Sequence, residues 1–208
     1  YMALVKYNNN SISNVTALAS LPSGAMTHIK TLTASSSSTL SFVDGSSDVV
    51  LDSTYPVYMF KFINIHPSAN SEDFTFNMSA DTGSNYNVTK TTTFFDARHS
   101  EGGSDAVLAY SANRDLAQST NFQMLAREVG NGDDETTSGT LHLFNPSSTT
   151  FVKHFTSNFN SYYSENYTMN HYVAGYGNTT SAVDAIQFKM SSGNIDAGTI
   201  KLYGIKDS

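Results

Sequence analysis

Residues 74–95 read FTFNMSADTGSNYNVTKTTTFF. Phe74, Phe76 and Met78 alternate with Thr75, Asn77 and Ser79, the period of two expected of a half-buried strand. Val88 to Phe95, rich in Thr and Phe, reads as a second strand. Between them Asp81, Gly83, Asn85 and Asn87 occupy alternate positions, which invites a calcium-loop reading. A helix-flanked calcium loop carries Gly at about its sixth position and a bidentate Glu at about its twelfth. Counted from Asp81 these positions hold Tyr86 and Thr92, and no helical periodicity flanks them. Asp, Gly and Asn instead supply the positive φ and the local hydrogen bonds of a turn. The stretch therefore predicts a β-hairpin-like connection, shaped by Asp81 and Gly83.

The same grammar continues on both sides. Short apolar-alternating runs at 27–33, 39–43, 48–52, 137–145, 149–159, 167–176, 182–190 and 197–205 are separated by turn residues such as ASSSS and DGSS. PVYMFKFINI (56–65) is nearly continuous in apolar residues and predicts a central strand covered on both faces, with Pro56 tolerated at its first position. Only 111–135 breaks the rhythm. There Phe122, Leu125, Ala126 and Val129 fall at helical spacing, with Ser119 or Thr120 as cap and Gly130 as stop. The expected fold is all-β: an antiparallel β-sandwich, jelly-roll-like, with one long inter-strand excursion and at most one short helix. Residues 1–26 are read as an extended leader and 27–208 as a single sandwich domain.

Composition narrows the function classes. A chain of 208 residues is long enough to bury a core without covalent staples. It holds no Cys, which fits folding in a reducing compartment. Net charge is −7 and charged residues are only 14%, so the basic stripe of a nucleic-acid binder is missing. Hydrophobic residues at 39% and aromatics at 12% argue against disorder. No apolar run approaches the roughly 18 residues of a membrane span, and no signal-like apolar core leads the chain, so no membrane insertion is expected. Ser, Thr, Asn and Gly dominate instead, a composition suited to sheet surfaces that contact proteins or glycans.

Residue spacing separates the candidates for chemistry. His28, His142, His154 and His171 lie in predicted strands, lack the i, i+4 helical pairing of a zinc site, and read as satisfied or surface imidazoles. Residues 97–106 gather Arg98, His99, Glu101, Ser104 and Asp105 but hold no nucleophile elbow, and a polar loop is the expected form. Asp133, Asp134 and Glu135 are the candidates for a weakly held Ca²⁺, against the preferred reading of a solvated loop. Sequons at Asn14, Asn77, Asn87, Asn166 and Asn178 arise by chance in so Asn-rich a chain. No cofactor motif and no enzymatic constellation is found. Tyr162, Tyr163, Tyr167, Tyr172 and Tyr176 form an aromatic cluster among Asn and Ser, the composition of a rigid binding surface and equally of exposed sheet or subunit contacts. Leu4, Val5, Tyr7, Ile12 and Val15 in the leader are too few for a core and are read as attachment residues against a neighbour, with a frayed terminus as the equal alternative.

FKFINIHPSANSEDFTFNMSADTGSNYN (60–87) resembles virion proteins of marine tailed bacteriophages, where a strand of this type precedes an alternating strand and a Ser-x-Asp-x-Gly-Ser-x-Tyr turn. SSGNIDAGTIKLYGI (191–205) is similar to the closing strand of that group, and RDLAQSTNFQMLAREVGN with LHLFNPSSTTFVKHF to its middle. The resemblance spans most of the chain after Thr27. It departs at Asp81-Thr82-Gly83, where many relatives show Asp-Gly-Gly, which touches only the turn type. It implies a structural particle component, on capsid or tail fibre, that forms a homotrimer, contacts other virion proteins and is assembled in the host cytoplasm. A tail-tip module binding a host-surface glycan is the alternative. No catalytic residue is carried over.

Overall fold

The computed structural model describes residues 25–206. The leader residues Leu4, Val5, Tyr7, Ile12 and Val15 lie outside the described residues. Twelve strands follow in order. They are β1 (Met26–Thr33), β2 (Leu40–Val43), β3 (Val57–Pro67), β4 (Glu72–Ser79), β5 (Lys90–Ser100) and β6 (Ala106–Tyr110), then β7 (Gln123–Val129), β8 (Thr137–Phe144), β9 (Lys153–Tyr163), β10 (Tyr167–Gly177), β11 (Ala185–Met190) and β12 (Ile195–Ile205). Every pairing is antiparallel, and no helix occurs among the described residues.

Pairing resolves the strands into two layers. The larger sheet runs β1-β12-β3-β8-β9-β10-β5-β6 and the smaller β2-β11-β4-β7, joined at one corner by Val129 opposite Tyr163. From β1 to β4 the chain alternates between sheets strand by strand, and it does so again from β7 to β8 and from β11 to β12. Two hairpins interrupt this path: β5–β6 between β4 and β7, and β9–β10 between β8 and β11. They pair with each other along β10–β5 and extend the larger sheet beyond β8 as a wing. Without them, β1-β12-β3-β8 faces β2-β11-β4-β7, the double-sheet jelly roll.

Alternation decides what lies between the sheets. In β9 every second residue from Lys153 to Ser161 is buried, so Phe155 and Phe159 point inward. Phe188 of β11 sits at the centre, its ring 5.0 Å from Phe62, 5.5 Å from Phe60 and 6.0 Å from Phe74. The Phe62 contact is edge-on, the Phe60 contact tilted and the Phe74 contact stacked, and such ring pairs add to area burial because ring edges are positive and faces negative.

Four expectations are corrected. First, the connection at 80–89 is not a hairpin: β4 pairs β11 and β7, whereas β5 pairs β10 and β6, so the chain crosses from one sheet to the other. Its turn is self-sufficient. Asp81 accepts hydrogen bonds from Ser79 Oγ (2.6 Å), Asn85 N (2.8 Å) and Asn85 Nδ2 (2.7 Å), which occupy the oxygens a cation would need. These donors, Ser79 first, lower its pKa to about 2, and Thr82 and Gly83 both take positive φ. Second, Gln123–Val129 is strand, not helix. Two register shifts against β4 insert extra residues at Leu125 and beyond Ala126, so buried Leu125, Ala126 and Val129 acquire a helix-like spacing from β-bulges. Third, β3 is covered on one face only: Tyr58, Phe60 and Phe62 are buried while Lys61 is exposed, since among the described residues no layer packs on the outer side of the larger sheet. Fourth, 48–52 forms no strand. Val49 and Leu51 plug the core from a loop held by Asp44, whose carboxylate accepts the Leu51 N–H at 2.8 Å.

Candidate functional site

The wing presents a broad outer face. With Phe155, Phe159, Met169 and Val173 turned inward, the opposite parity sends His154, Thr156 and Asn158 outward from β9, and Tyr172, Ala174 and Tyr176 outward from β10. Register aligns them in rows: Phe95, Tyr172 and Asn158; Thr93, Ala174 and Thr156; Thr91, Tyr176 and His154. Phe95 and Tyr172 stack at 5.0 Å and 10°, both more than a third exposed. Tyr176 meets His154 edge-on at 6.1 Å. Between these rings lie a cleft of about 340 Å³ lined by Thr93, His154, Thr156 and Tyr176, and one of about 200 Å³ under the Phe95–Tyr172 stack. Neither lining includes Asp, Glu, Lys or Arg. Such a surface offers flat aromatic faces and hydroxyls at low entropic cost.

At one rim the same face becomes polar. A pocket of about 300 Å³ gathers His99, Glu101, Asp134, Asn160, Tyr162 and Thr168. Across Thr136 it adjoins a second of about 540 Å³, lined by Asn64, His66, Asp133, Asp196 and Thr199. Coordinated bulges shape the second: Asn64 takes φ 50°, and Gly198 takes φ 119° with its absent Cβ only 2.6 Å from the Asn64 carbonyl oxygen. Tyr162 donates to Asn166 Oδ1 at 3.0 Å, and its pKa is raised, by burial first and then by the Glu101 carboxylate. Carboxylates, amides and hydroxyls converging beside an aromatic ring are suited to hydrogen-bonding a polyhydroxylated molecule.

The structure thus divides the tyrosines by strand parity. Tyr162, Tyr172 and Tyr176 share the outer face. Tyr163 and Tyr167 lie on the inner side, edge-on to each other at 5.7 Å, beneath Arg127 and Arg98 respectively. The acids are divided as well: Asp133 and Asp134 line different pockets, and Glu135 turns back to accept the Gly132 N–H at 2.7 Å. Three distant segments, at Glu101, Asp134 and Tyr162, meet in one pocket, which no local pattern announced. Phe95 and His154 were also missed as site residues, although alternation within their strands gave the signal.

Beneath the wing runs a buried polar layer. Arg127 Nε lies 3.3 Å from Asp96 Oδ2 with both side chains at most 10% exposed, and Arg127 Nη1 lies 3.1 Å from Glu128. Lys90 and Lys153, fully buried, flank Gly177 in register on either side of β10. Lys90 Nζ donates to Asn77 Oδ1 (2.5 Å) and Val88 O (2.8 Å), and burial lowers its pKa to about 7. His171 is held neutral: burial first, then Arg127 and Arg114, lower its pKa to about 3. An unfolded histidine titrates near 6.5, so the unfolded chain binds the extra proton between these values. Stability should therefore fall as pH drops from about 6.5 toward about 3, and His171→Gln should flatten that part of the profile. Urea midpoints measured across this window check it; equal slopes in the two proteins would contradict it.

Compared with known proteins, the chain matches no family model, no curated protein and no solved structure.

Proposed function

We propose that the chain is a non-enzymatic structural protein of a bacteriophage particle surface, a capsid decoration or tail-fibre component. On this reading it is assembled in the host cytoplasm as a homotrimer and contacts other virion proteins. The observation that supports the reading best is the outer face of the larger sheet: wide, uncharged over the wing, and carrying exposed Phe95, Leu108, Tyr110, Phe144 and Tyr172 on a jelly-roll body. Surfaces of this kind are suited to protein contact rather than to isolation in solvent. The resemblance of residues 60–87 and 191–205 to phage virion proteins points the same way. Particles of the encoding phage, purified by density gradient, should contain this chain in fixed stoichiometry by quantitative mass spectrometry. Its presence only in the soluble lysate would overturn the proposal.

A second reading, a receptor- or glycan-binding module, is favoured by one specific feature: the Phe95–Tyr172 stack and Tyr176 lie on the same face as the polar rim pocket. A glycan array probed with the protein and with Tyr172→Ala decides it. Binding lost in the variant supports this reading, and no binding by either protein removes it.

A further inference from the structure

Among the described residues the β6 strand is the open edge of the wing, and all its residues, Ala106 to Tyr110, are exposed. Leu108 is 72% and Tyr110 55% exposed. Natural sheets guard such edges with charge, proline or a bulge. This strand, AVLAY, has no charge and no proline, and its register with β5 is unbroken.

The backbone directions follow from the flanking bonds. Ser100 N–H donates to Asp105 O and Ser111 N–H donates to Phe94 O, both at 2.9 Å, and the register runs from His99 opposite Ala106 to Phe95 opposite Tyr110. In an antiparallel ladder, bonded residues alternate. Val107 and Ala109 therefore bond to β5, and Ala106, Leu108 and Tyr110 turn their N–H and C=O groups to the open edge.

We infer that β6 is a two-fold contact between two copies of this chain, paired antiparallel about Leu108. The open groups are symmetric about that residue. Leu108 of one copy exchanges both backbone bonds with Leu108 of the other, and Ala106 does so with Tyr110. Side chains fit the same axis: on the outer face Leu108 lies beside Leu108, and each Tyr110 covers the small Ala106 of the other copy. Across β5 the apolar surface continues through Ala97, Phe95 and the Tyr172 ring stacked on it. The nearest charges on the other face, Asp96 and Arg98, are already matched by Arg127 and Asp105, and on the outer face the Asp115 carboxylate accepts a hydrogen bond from the Tyr110 hydroxyl at 2.5 Å. A short ribbon is small beside the roughly 800 Å² per partner of a stable interface, and a Kd on the order of 10–100 μM is expected. The described fold begins at β1, the opposite edge of the larger sheet, about seven strand spacings or 34 Å from β6.

This inference rests on the edge geometry and not on the virion reading. Sedimentation equilibrium of the full chain from about 1 to 500 μM should show the mass rising toward twice that of the species present at the low end, whether that species is one chain or a trimer. Over the same range, hydrogen exchange should slow at the amides of Ala106, Leu108 and Tyr110 and stay unchanged at Val107 and Ala109. Leu108→Lys sets like charges against each other and should weaken the dimer at least about tenfold with an unchanged melting temperature. Leu108→Pro removes an N–H that β5 does not use, and should do the same should the lysine variant fold poorly. A mass that does not change with concentration overturns the inference, as does an association that leaves these three amides unaffected. Protection of the three amides already at 1 μM, abolished by deleting residues 1–24, assigns the edge to the chain's own leader and also overturns it. None of these outcomes alters the particle-content test.

Discussion

Replacing Phe188 by alanine should destabilise the protein by about 3–5 kcal/mol, the range for a fully buried aromatic whose neighbours cannot close the cavity. Phe188 is 0% exposed and meets rings from both sheets: Phe60 and Phe62 on β3, Phe74 and Phe76 on β4, and Phe42 on β2. Of these strands β3 and β4 are fixed by ladders on either side, so their rings cannot move in together. Phe151, 68% exposed, is the control, and its alanine variant should stay within about 0.5 kcal/mol of the parent. Urea denaturation of the three proteins reads both values. A loss below about 1 kcal/mol for Phe188→Ala would mean that the sheets do not pack through this ring.

The second large effect is expected where the wing meets the smaller sheet. Arg127→Met should cost about 3–5 kcal/mol, because it leaves Asp96 buried with its charge unmatched. Among the described residues Asp96 Oδ2 has no hydrogen bond besides its ion pair with Arg127 at 3.3 Å. Removing both charges, in Arg127→Met with Asp96→Leu, should restore most of the loss, since a buried pair is often no better than packed apolar groups. The pair joins β7 to β5, so in the single variant β5 and β6 should exchange amide hydrogens before the jelly-roll strands do. A double variant no more stable than the single one would show that the arginine acts by packing instead.

Legibility followed the physics of each element. Where one face is buried without interruption, alternation suffices: the predicted strands at 137–145, 167–176 and 197–205 match β8, β10 and β12 within a few residues. Bulges defeat it. In β7 they place Leu125 and Ala126 side by side in the core, and a period of two then reads as a helical one. Pairing partners are also not local information. The turn at Asp81 was read from its own residues, and its hydrogen bonds agree, but whether the next strand returns beside β4 depends on which sheet has room for it. The site shows the same division. Parity alone separates Tyr172 and Tyr176 from Tyr163 and Tyr167, and the same parity places Lys90 and Lys153 inward with Thr92 and Phe155. The meeting of Glu101, Asp134 and Tyr162 depends on the shapes of three loops, which residue spacing does not encode.

The proposal that this chain builds the surface of a phage particle is tested most directly by locating it there. Gold-labelled antibody against the chain, applied to intact purified particles and viewed by electron microscopy, should mark regularly repeated positions on capsid or tail. Unlabelled particles, with the chain recovered only from the soluble lysate, would contradict the account.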